Sequence, residues 1–379
     1  MRRDERWGVG SILDRRLLRD SPRPIAVALS GGGDSLALTL MADAWAREHG
    51  RHLLILTVDH RLQAESAAWT DRCATLAARL GRPFRALAWE GDKPATGLPA
   101  AARRARHALL ADAAREAGAH VILMGHTAGD LAEAAAMRAA GSTTPDPREW
   151  SPSPVWPQGR GVFLLRPLLA AGRADLRTWL SARGETWIDD PANTDLRYAR
   201  SRARAATSVP APIEPPPDRG LPLEGVATGG ELVFDRPALR RAPSTEVRRL
   251  VATACVCAGG GERLPAGSRV ARAADAALGT ERFISTLAGA RIEADGARIR
   301  ITREPGEAAR GGLQPMELPA GREVVWDGRF AITAQAPGLV VRPARRGDPF
   351  VERADAATIV PLVGDRFRAA MGLVEGEPL

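Results

Sequence analysis

The sequence predicts an α/β fold: a doubly wound, mostly parallel sheet followed by a smaller helical and mixed C-terminal region. Three observations predict it. Short apolar runs alternate with amphipathic helical patterns between residues 24 and 190, as in parallel sheets covered by helices on both faces. The first run ends in a glycine triplet that opens a helix, the corner at which such sheets receive ligands. A proline-rich stretch, "SVPAPIEPPPDRGLP" at 208–222, then interrupts the alternation and reads as an extended linker.

Candidate strands are 25–29 (IAVAL), 53–58 (LLILTV), 84–89 (FRALAW), 121–125 (VILMG) and 161–165 (GVFLL). Helical patterns begin at Ser35, Glu65, Pro99 and Asp130. The first carries Leu36, Leu40 and Ala44 at i, i+4 spacing and stops at Gly50. Beyond the linker, a helix capped near Ser244 places Val247, Leu250, Val251 and Ala254 along one side. The segment 290–301 alternates around Asp295–Gly296, a hairpin signal that also sets Arg298 and Arg300 opposite Ile299 and Ile301. Short strands are expected from 324 onward. The expected division is an α/β domain at 1–208, a linker at 209–222, a helical and mixed domain at 223–305 and a small β-rich segment at 306–379.

At 379 residues the chain is long enough for two or three domains. No apolar run approaches the roughly 18 residues of a membrane helix, and the N-terminal stretch is charged throughout with no secretory core, so a cytoplasmic location away from membranes is expected. Cys73, Cys255 and Cys257 form neither a disulfide framework nor a CxxC pair. The net charge of +8 suits a polyanionic partner. Lys93 is the sole lysine and sits in a loop-like stretch, which argues against Schiff-base chemistry.

The glycine corner reads S-G-G-G-D-S, residues Ser30, Gly31, Gly32, Gly33, Asp34 and Ser35. It lacks the lysine of a Walker loop and the third glycine of a dinucleotide fingerprint. Successive N–H groups at a helix start form an anion nest, to which both serines can add hydroxyls. A carboxylate there repels phosphate unless Mg²⁺ lies between them, so the loop is expected to hold a metal–pyrophosphate group with Asp34 as the metal ligand. The plainer alternative is a first-turn carboxylate favoured by the helix dipole. The strand-end rule adds Asp59, His60, Gly125, His126 and Asp130 as neighbours of this loop.

S-G-G-x-D-S after the first strand resembles the signature of the PP-loop ATP pyrophosphatases. Within that superfamily, "VDHRLQAESAAW" (58–69), "AARRARHALL" (101–110), "GHTAGDLAEAAAMR" (125–138), "RPLL" (166–169) and "WIDDPANTDLRYARSRAR" (187–204) resemble, in this order, the motifs of the tRNA(Ile)-lysidine synthase family. The resemblance covers residues 24–204 well and the remainder loosely. It implies cleavage of ATP between its α and β phosphates, adenylation of C2–oxygen on the wobble cytidine of a CAU-anticodon isoleucine tRNA, and displacement of AMP by free L-lysine. ATP and Mg²⁺ are the implied cofactors, and tRNA(Ile) and lysine the implied partners; a homodimer is compatible with the sequence.

Transferred to this chain, the motifs name Asp34, Arg106, Asp130 and Glu133 as catalytic. Arg103 and Arg106, spaced i, i+3, can reach phosphate or base, or else be solvated helix arginines. Asp130 and Glu133, also i, i+3, can accept the lysine ammonium, orient the cytidine or bind metal; alternatively Asp130 only caps its helix. His126 is expected on phosphate or ribose, His60 there or in a structural role. Arg138 and the basic stripe Arg197, Arg200 and Arg204 are expected on tRNA phosphates.

The pattern departs from the family in places: His107 replaces a tyrosine, Gly129 the first of two aspartates and Ala134 a threonine, and 139–157 is rewritten. Two other functions therefore stand beside the first. One is a PP-loop tRNA thiolation enzyme, which wants paired or persulfide-bearing cysteines. The other is a non-catalytic tRNA-binding protein with a decayed nucleotide site, which the presence of Asp34, Asp130 and Glu133 opposes.

Overall fold

A computed structural model describes residues 7–141, 147–189, 226–310, 313–344 and 347–378. They belong to two compact units, Met1–Pro216 with Val374–Leu379, and Pro217–Leu373. The linker expected at 209–222 and Arg197, Arg200 and Arg204 lie outside the described residues.

In the first unit the strands are β1 (Ile25–Ala28), β2 (Leu53–Asp59), β3 (Phe84–Ala88), β4 (Val121–Leu123), β5 (Trp150–Pro152) and β6 (Phe163–Leu165). They form one six-stranded sheet of order β3-β2-β1-β4-β6-β5, parallel except where β5 pairs with β6. The helices are α1 (Val9–Arg16), α2 (Gly33–Glu48), α3 (Ser66–Leu80), α4 (Leu98–Glu116), α5 (Ala128–Ala139) and α6 (Arg173–Ser181).

The central strands β1, β4 and β6 are apolar without interruption because both sheet faces are covered there. Ile25, Val27, Leu53, Ile55, Leu123 and Leu165 pack in one core with Leu13, Leu38, Trp45, Leu76, Leu176 and Leu180. Ala26, Leu54, Leu56, Ile122 and Leu164 turn to the other face, against Leu110, Ala113 and Ala114 of α4. Each helix expected in this region begins within two residues of its expected start. Strand order reverses beside β1, with β2 on one side and β4 on the other. The crevice of a doubly wound sheet therefore opens beyond the C-terminal ends of β1 and β4.

The C-terminal residues close this unit. Glu377 and Arg51 form an ion pair at 2.9 Å with side chains 0% and 1% exposed, and Glu377 Oε2 accepts the Leu18 N–H at 3.0 Å. The Trp150 indole donates to the Val374 carbonyl at 2.6 Å.

The second unit contains an antiparallel sheet of β7 (Val226–Thr228), β8 (Glu231–Asp235), β9 (Phe283–Leu287), β10 (Ala290–Ala294) and β11 (Arg298–Arg303), in the order β7-β8-β11-β10-β9. Asp295 makes the β10–β11 turn by accepting the N–H groups of Ala297 and Arg298 at 2.9 and 2.8 Å. Ile299 and Ile301 enter the core while Arg298 is exposed and Arg300 sits 3.7 Å from Glu231. Helices Ser244–Ala258, Gly267–Ala277 and Val363–Met371 complete that core, with Val247, Leu250, Val251 and Ala254 buried as their spacing predicts.

Two further three-stranded antiparallel sheets follow. The first contains β12 (Met316–Leu318), β15 (Leu339–Pro343) and β16 (Pro349–Val351). The second contains β13 (Glu323–Trp326), β14 (Phe330–Ala334) and β17 (Ala357–Pro361). The fold is thus the predicted parallel α/β sheet followed by a region of antiparallel sheets. Among the described residues, no helix is long and apolar enough to cross a membrane.

Candidate active site

The glycine corner lies at the reversal point of the sheet. Gly31 adopts φ +82°, a left-handed conformation that glycine takes without the Cβ penalty, and it turns the chain from β1 into α2. Ser35 ties the loop: the Ser30 N–H donates to its Oγ at 3.1 Å, and its own hydroxyl donates to the Gly32 carbonyl at 2.9 Å. With that proton committed, the 3.0 Å contact between the two hydroxyls has Ser30 as donor. Both serine hydroxyls therefore hold the loop in shape here, and the first N–H groups of α2, which have no intrahelical acceptor, form the anion nest.

The β4 end comes close to this nest. A Cβ on Gly125 would stand 3.0 Å from both Cα and N of Ser35, so the absent side chain is what permits the approach. On the other flank the Ile188 N–H donates to the Gly31 carbonyl at 2.9 Å. A Cβ on Gly33 would meet Trp187 at 3.5 Å and Arg177 at 3.7 Å. A cavity of about 330 Å³ opens beside Gly31, lined among others by Leu29, Leu36, Cys73, Leu76 and Ile188.

Three carboxylates converge through one arginine that the sequence analysis did not single out. Arg173 Nε donates to Asp34 Oδ2 at 2.9 Å, and its terminal nitrogens lie 4.0 Å from Asp130 Oδ2 and 4.0 Å from Glu133 Oε1. The available signal was a cation at the first position of a helix, where the dipole disfavours it, just after the "RPLL" motif. Burial raises the Asp34 pKa above the ordinary carboxylate range, assisted by Asp130 and opposed by Arg173. The ion pair therefore does not fully compensate that carboxylate.

Asp130 does what a capping residue does, its carboxylate accepting the Thr127 N–H at 2.7 Å and the Thr127 hydroxyl at 3.1 Å. It is nonetheless 6% exposed at the edge of the same cluster, and Glu133 is 2% exposed one turn on. Gly129 has no structural need for glycine: a Cβ there would find Thr127 Oγ1 at 3.6 Å, ordinary contact.

Arg166, the residue after β6, lies within electrostatic reach of Asp130 and of Arg103 on α4. Arg166 is buried, and its Nε donates to His126 Nδ1 at 3.1 Å; its Nη1 donates to the Arg148 carbonyl at 2.8 Å and to Ser151 Oγ at 3.0 Å. An acceptor at Nδ1 leaves the proton of neutral His126 on Nε2, which makes that atom a donor. Burial, then the neighbouring Arg103, lowers the Arg166 pKa to about 10, and Asp130 partly restores it. Arg103 and Arg106 are half-buried on α4.

His60 packs edge-on against Trp89 at 6.2 Å, and burial followed by the charge of Arg106 lowers its pKa. Asp59 Oδ1 accepts the Arg61 N–H at 2.7 Å, shaping the turn after β2. Arg138 lies exposed in the last turn of α5.

Asp34 also supplies the structural test of the Mg²⁺ expectation. Its Oδ1 is buried and has no hydrogen-bond partner among the described residues. An orphaned carboxylate oxygen beside an anion nest fits a Mg²⁺ ion, which uses one or two carboxylates and completes its shell with phosphate oxygens and water. Among the described residues, no group of three or more His, Cys, Asp or Glu side chains has the placement of an all-protein metal site. The cysteines are buried, and burial first of all raises their pKa, to about 12 for Cys255 and about 11 for Cys257.

The family model described as a PP-loop domain matches residues 11–209. A protein of Caulobacter vibrioides named tRNA(Ile)-lysidine synthase is 51% identical over 94% of this chain and 86% of its own length. One of Rhizobium meliloti with the same name is 33% identical over 90% of this chain and 81% of its own length. Among solved structures, the U34-tRNA thiolase NcsA of Methanococcus maripaludis overlays with a TM-score of 0.43 and 15% identity, covering 52% of this chain and 70% of that one. With the glycine loop, the strand-end residues and these identities in place, the chain belongs to the PP-loop proteins and, within them, to the tRNA(Ile)-lysidine synthase family.

Proposed function

We propose that this protein joins free L-lysine to C2 of the wobble cytidine in the CAU anticodon of tRNA(Ile), consuming ATP and releasing AMP and pyrophosphate through an adenylated cytidine. The observation that carries the reading is the 51% identity, along nearly the whole chain, to a protein named for this activity. The site chemistry agrees with it. An anticodon base is unpaired and needs little energy to be presented, and a folded tRNA is held mostly by shape and phosphate. The protein acts in the cytoplasm.

The nest from Ser30 to Ser35 receives the pyrophosphate portion of ATP, and the cavity beside Gly31 suits the purine. Asp59, His60, Gly125 and His126 complete the nucleotide site, with His126 Nε2–H as donor to phosphate or ribose. Asp34 holds Mg²⁺, which when bound supplies charge neutralisation at the phosphates. Arg106 and Asp130 orient the cytidine or the lysine. Glu133, buried and acidic, attracts the lysine ammonium. Arg103, Arg138, Arg197, Arg200 and Arg204 take tRNA phosphates.

Radiolabelled lysine, ATP, Mg²⁺ and transcripts of tRNA(Ile) and tRNA(Met), both with CAU anticodons, test this. Label in the isoleucine transcript alone, lost when EDTA removes the metal, is the expected result. Retained tRNA binding with no label in either transcript would overturn the reading.

A further inference from the structure

The carboxylate cluster contains a cation of its own. Arg173 stands at the first helical position of α6, where the helix dipole opposes a positive charge, so helix stability does not account for it. Its side chain nonetheless serves carboxylates carried on two other helices, Asp34 on α2 and Asp130 and Glu133 on α5. Burial works against the guanidinium charge, and those three carboxylates more than offset it, so Arg173 remains a firm cation. The contacts are unequal: a direct hydrogen bond to Asp34 at 2.9 Å, and only 4.0 Å approaches to the other two.

Asp34 is the residue with a second oxygen buried and unpartnered among the described residues. One of its oxygens is thus neutralised by Arg173 while the other lacks a donor. The Arg173 side chain is 28% exposed, more than those of Asp34, Asp130 and Glu133, which leaves it a solvent-side route off the cluster.

We propose that Arg173 is a place-holding counter-ion: it neutralises the Asp34–Asp130–Glu133 cluster in the empty site and competes there with the divalent metal, which must displace its guanidinium from Asp34. The role of the metal rests on the functional reading above; the competition rests on the geometry. Without Arg173, Asp34 loses its direct hydrogen-bonded cation, and the field at its carboxylate favours an added cation more strongly. A unit charge removed from this range changes the affinity for a divalent cation by on the order of tenfold or more at the effective dielectric of a protein surface.

The test is Mn²⁺ titration of the nucleotide-free protein at fixed ionic strength, reading free Mn²⁺ by electron paramagnetic resonance. Arg173→Met removes the charge at similar length, and Arg173→Gln removes it while retaining a hydrogen-bond donor, so either folded variant suffices. Both are expected to bind Mn²⁺ on the order of tenfold more tightly than the wild type. Adding Asp34→Asn to either should abolish the gain. Equal or weaker Mn²⁺ binding by a folded charge-removing variant overturns the proposal, as does an absence of binding to every form. The lysine-incorporation assay is separate: a wild type that never incorporates lysine sinks the functional reading, whereas unchanged Mn²⁺ affinity beside normal incorporation sinks the place-holder alone.

Discussion

Asp34 and His107 bury charge-capable groups in opposite ways. The Asp34 carboxyl is pushed above its ordinary value, burial outweighing the neighbouring Arg173. The folded, ligand-free protein therefore holds an Asp34 proton more tightly than the unfolded chain does. Its stability contribution declines as pH rises through the carboxylate range toward neutrality. Asp34→Asn removes that cost, so the variant is expected to melt no lower than the wild type at neutral pH while losing lysine incorporation, a separation that calorimetry beside the activity assay checks. His107 is 2% exposed, with both ring nitrogens lacking hydrogen-bond partners among the described residues. Burial, then Arg106 and Arg103, lowers its pKa from 6.5 to about 2. Here the unfolded chain binds the extra proton, so stability is complete above pH 6.5 and is lost as pH falls toward 2. His107→Leu abolishes this linkage. Between pH 6 and pH 4 the wild type should lose up to about 1.4 kcal/mol per pH unit more than the variant in urea unfolding.

At the scale of elements, the site is made by a close approach of backbones. The β4 end reaches the start of α2 because Gly125 has no Cβ, and the atoms a Cβ would meet are backbone atoms that cannot rotate away. Gly125→Ala is expected to cost about 1–3 kcal/mol and to weaken ATP binding, measured by thermal shift with and without nucleotide. The last described residues act on β2's entry in a similar way, through the buried pair of Glu377 with Arg51. Removing one partner of a buried pair strands the other charge. Glu377→Ala should therefore lower stability by about 3–5 kcal/mol in denaturant titration, far more than an exposed arginine–carboxylate pair would give.

For the whole molecule, the net charge of +8 governs how it meets a polyanion. Affinity for tRNA is expected to fall steeply and log-linearly with salt, while Asp34→Asn leaves that slope unchanged because Asp34 belongs to the nucleotide site and not to the arginines assigned to tRNA phosphates. Filter binding from about 50 to 200 mM salt checks both statements. A salt-insensitive affinity would contradict a phosphate-dominated interface.

Local pattern alone determined much of this protein. Apolar runs such as IAVA and LLIL alternating with 3.6-residue periodicity gave the sheet and its helices, as with β1 and α2, because a strand segment covered on both faces is apolar at successive positions. The SGGGDS corner, Asp295–Gly296 and the buried side of Ser244–Ala258 were legible for the same reason: backbone conformation and local burial are written in neighbouring residues. Tertiary structure decided what depends on distant pairs. Nothing local announces that Arg173 reaches Asp34 across 139 positions, that Arg166 fixes the tautomer of His126 across 40, or that Glu377 neutralises Arg51 across 326. Such contacts are set by where strand order and helix packing deliver each side chain, and a buried charge takes its partner from whatever the fold places within reach.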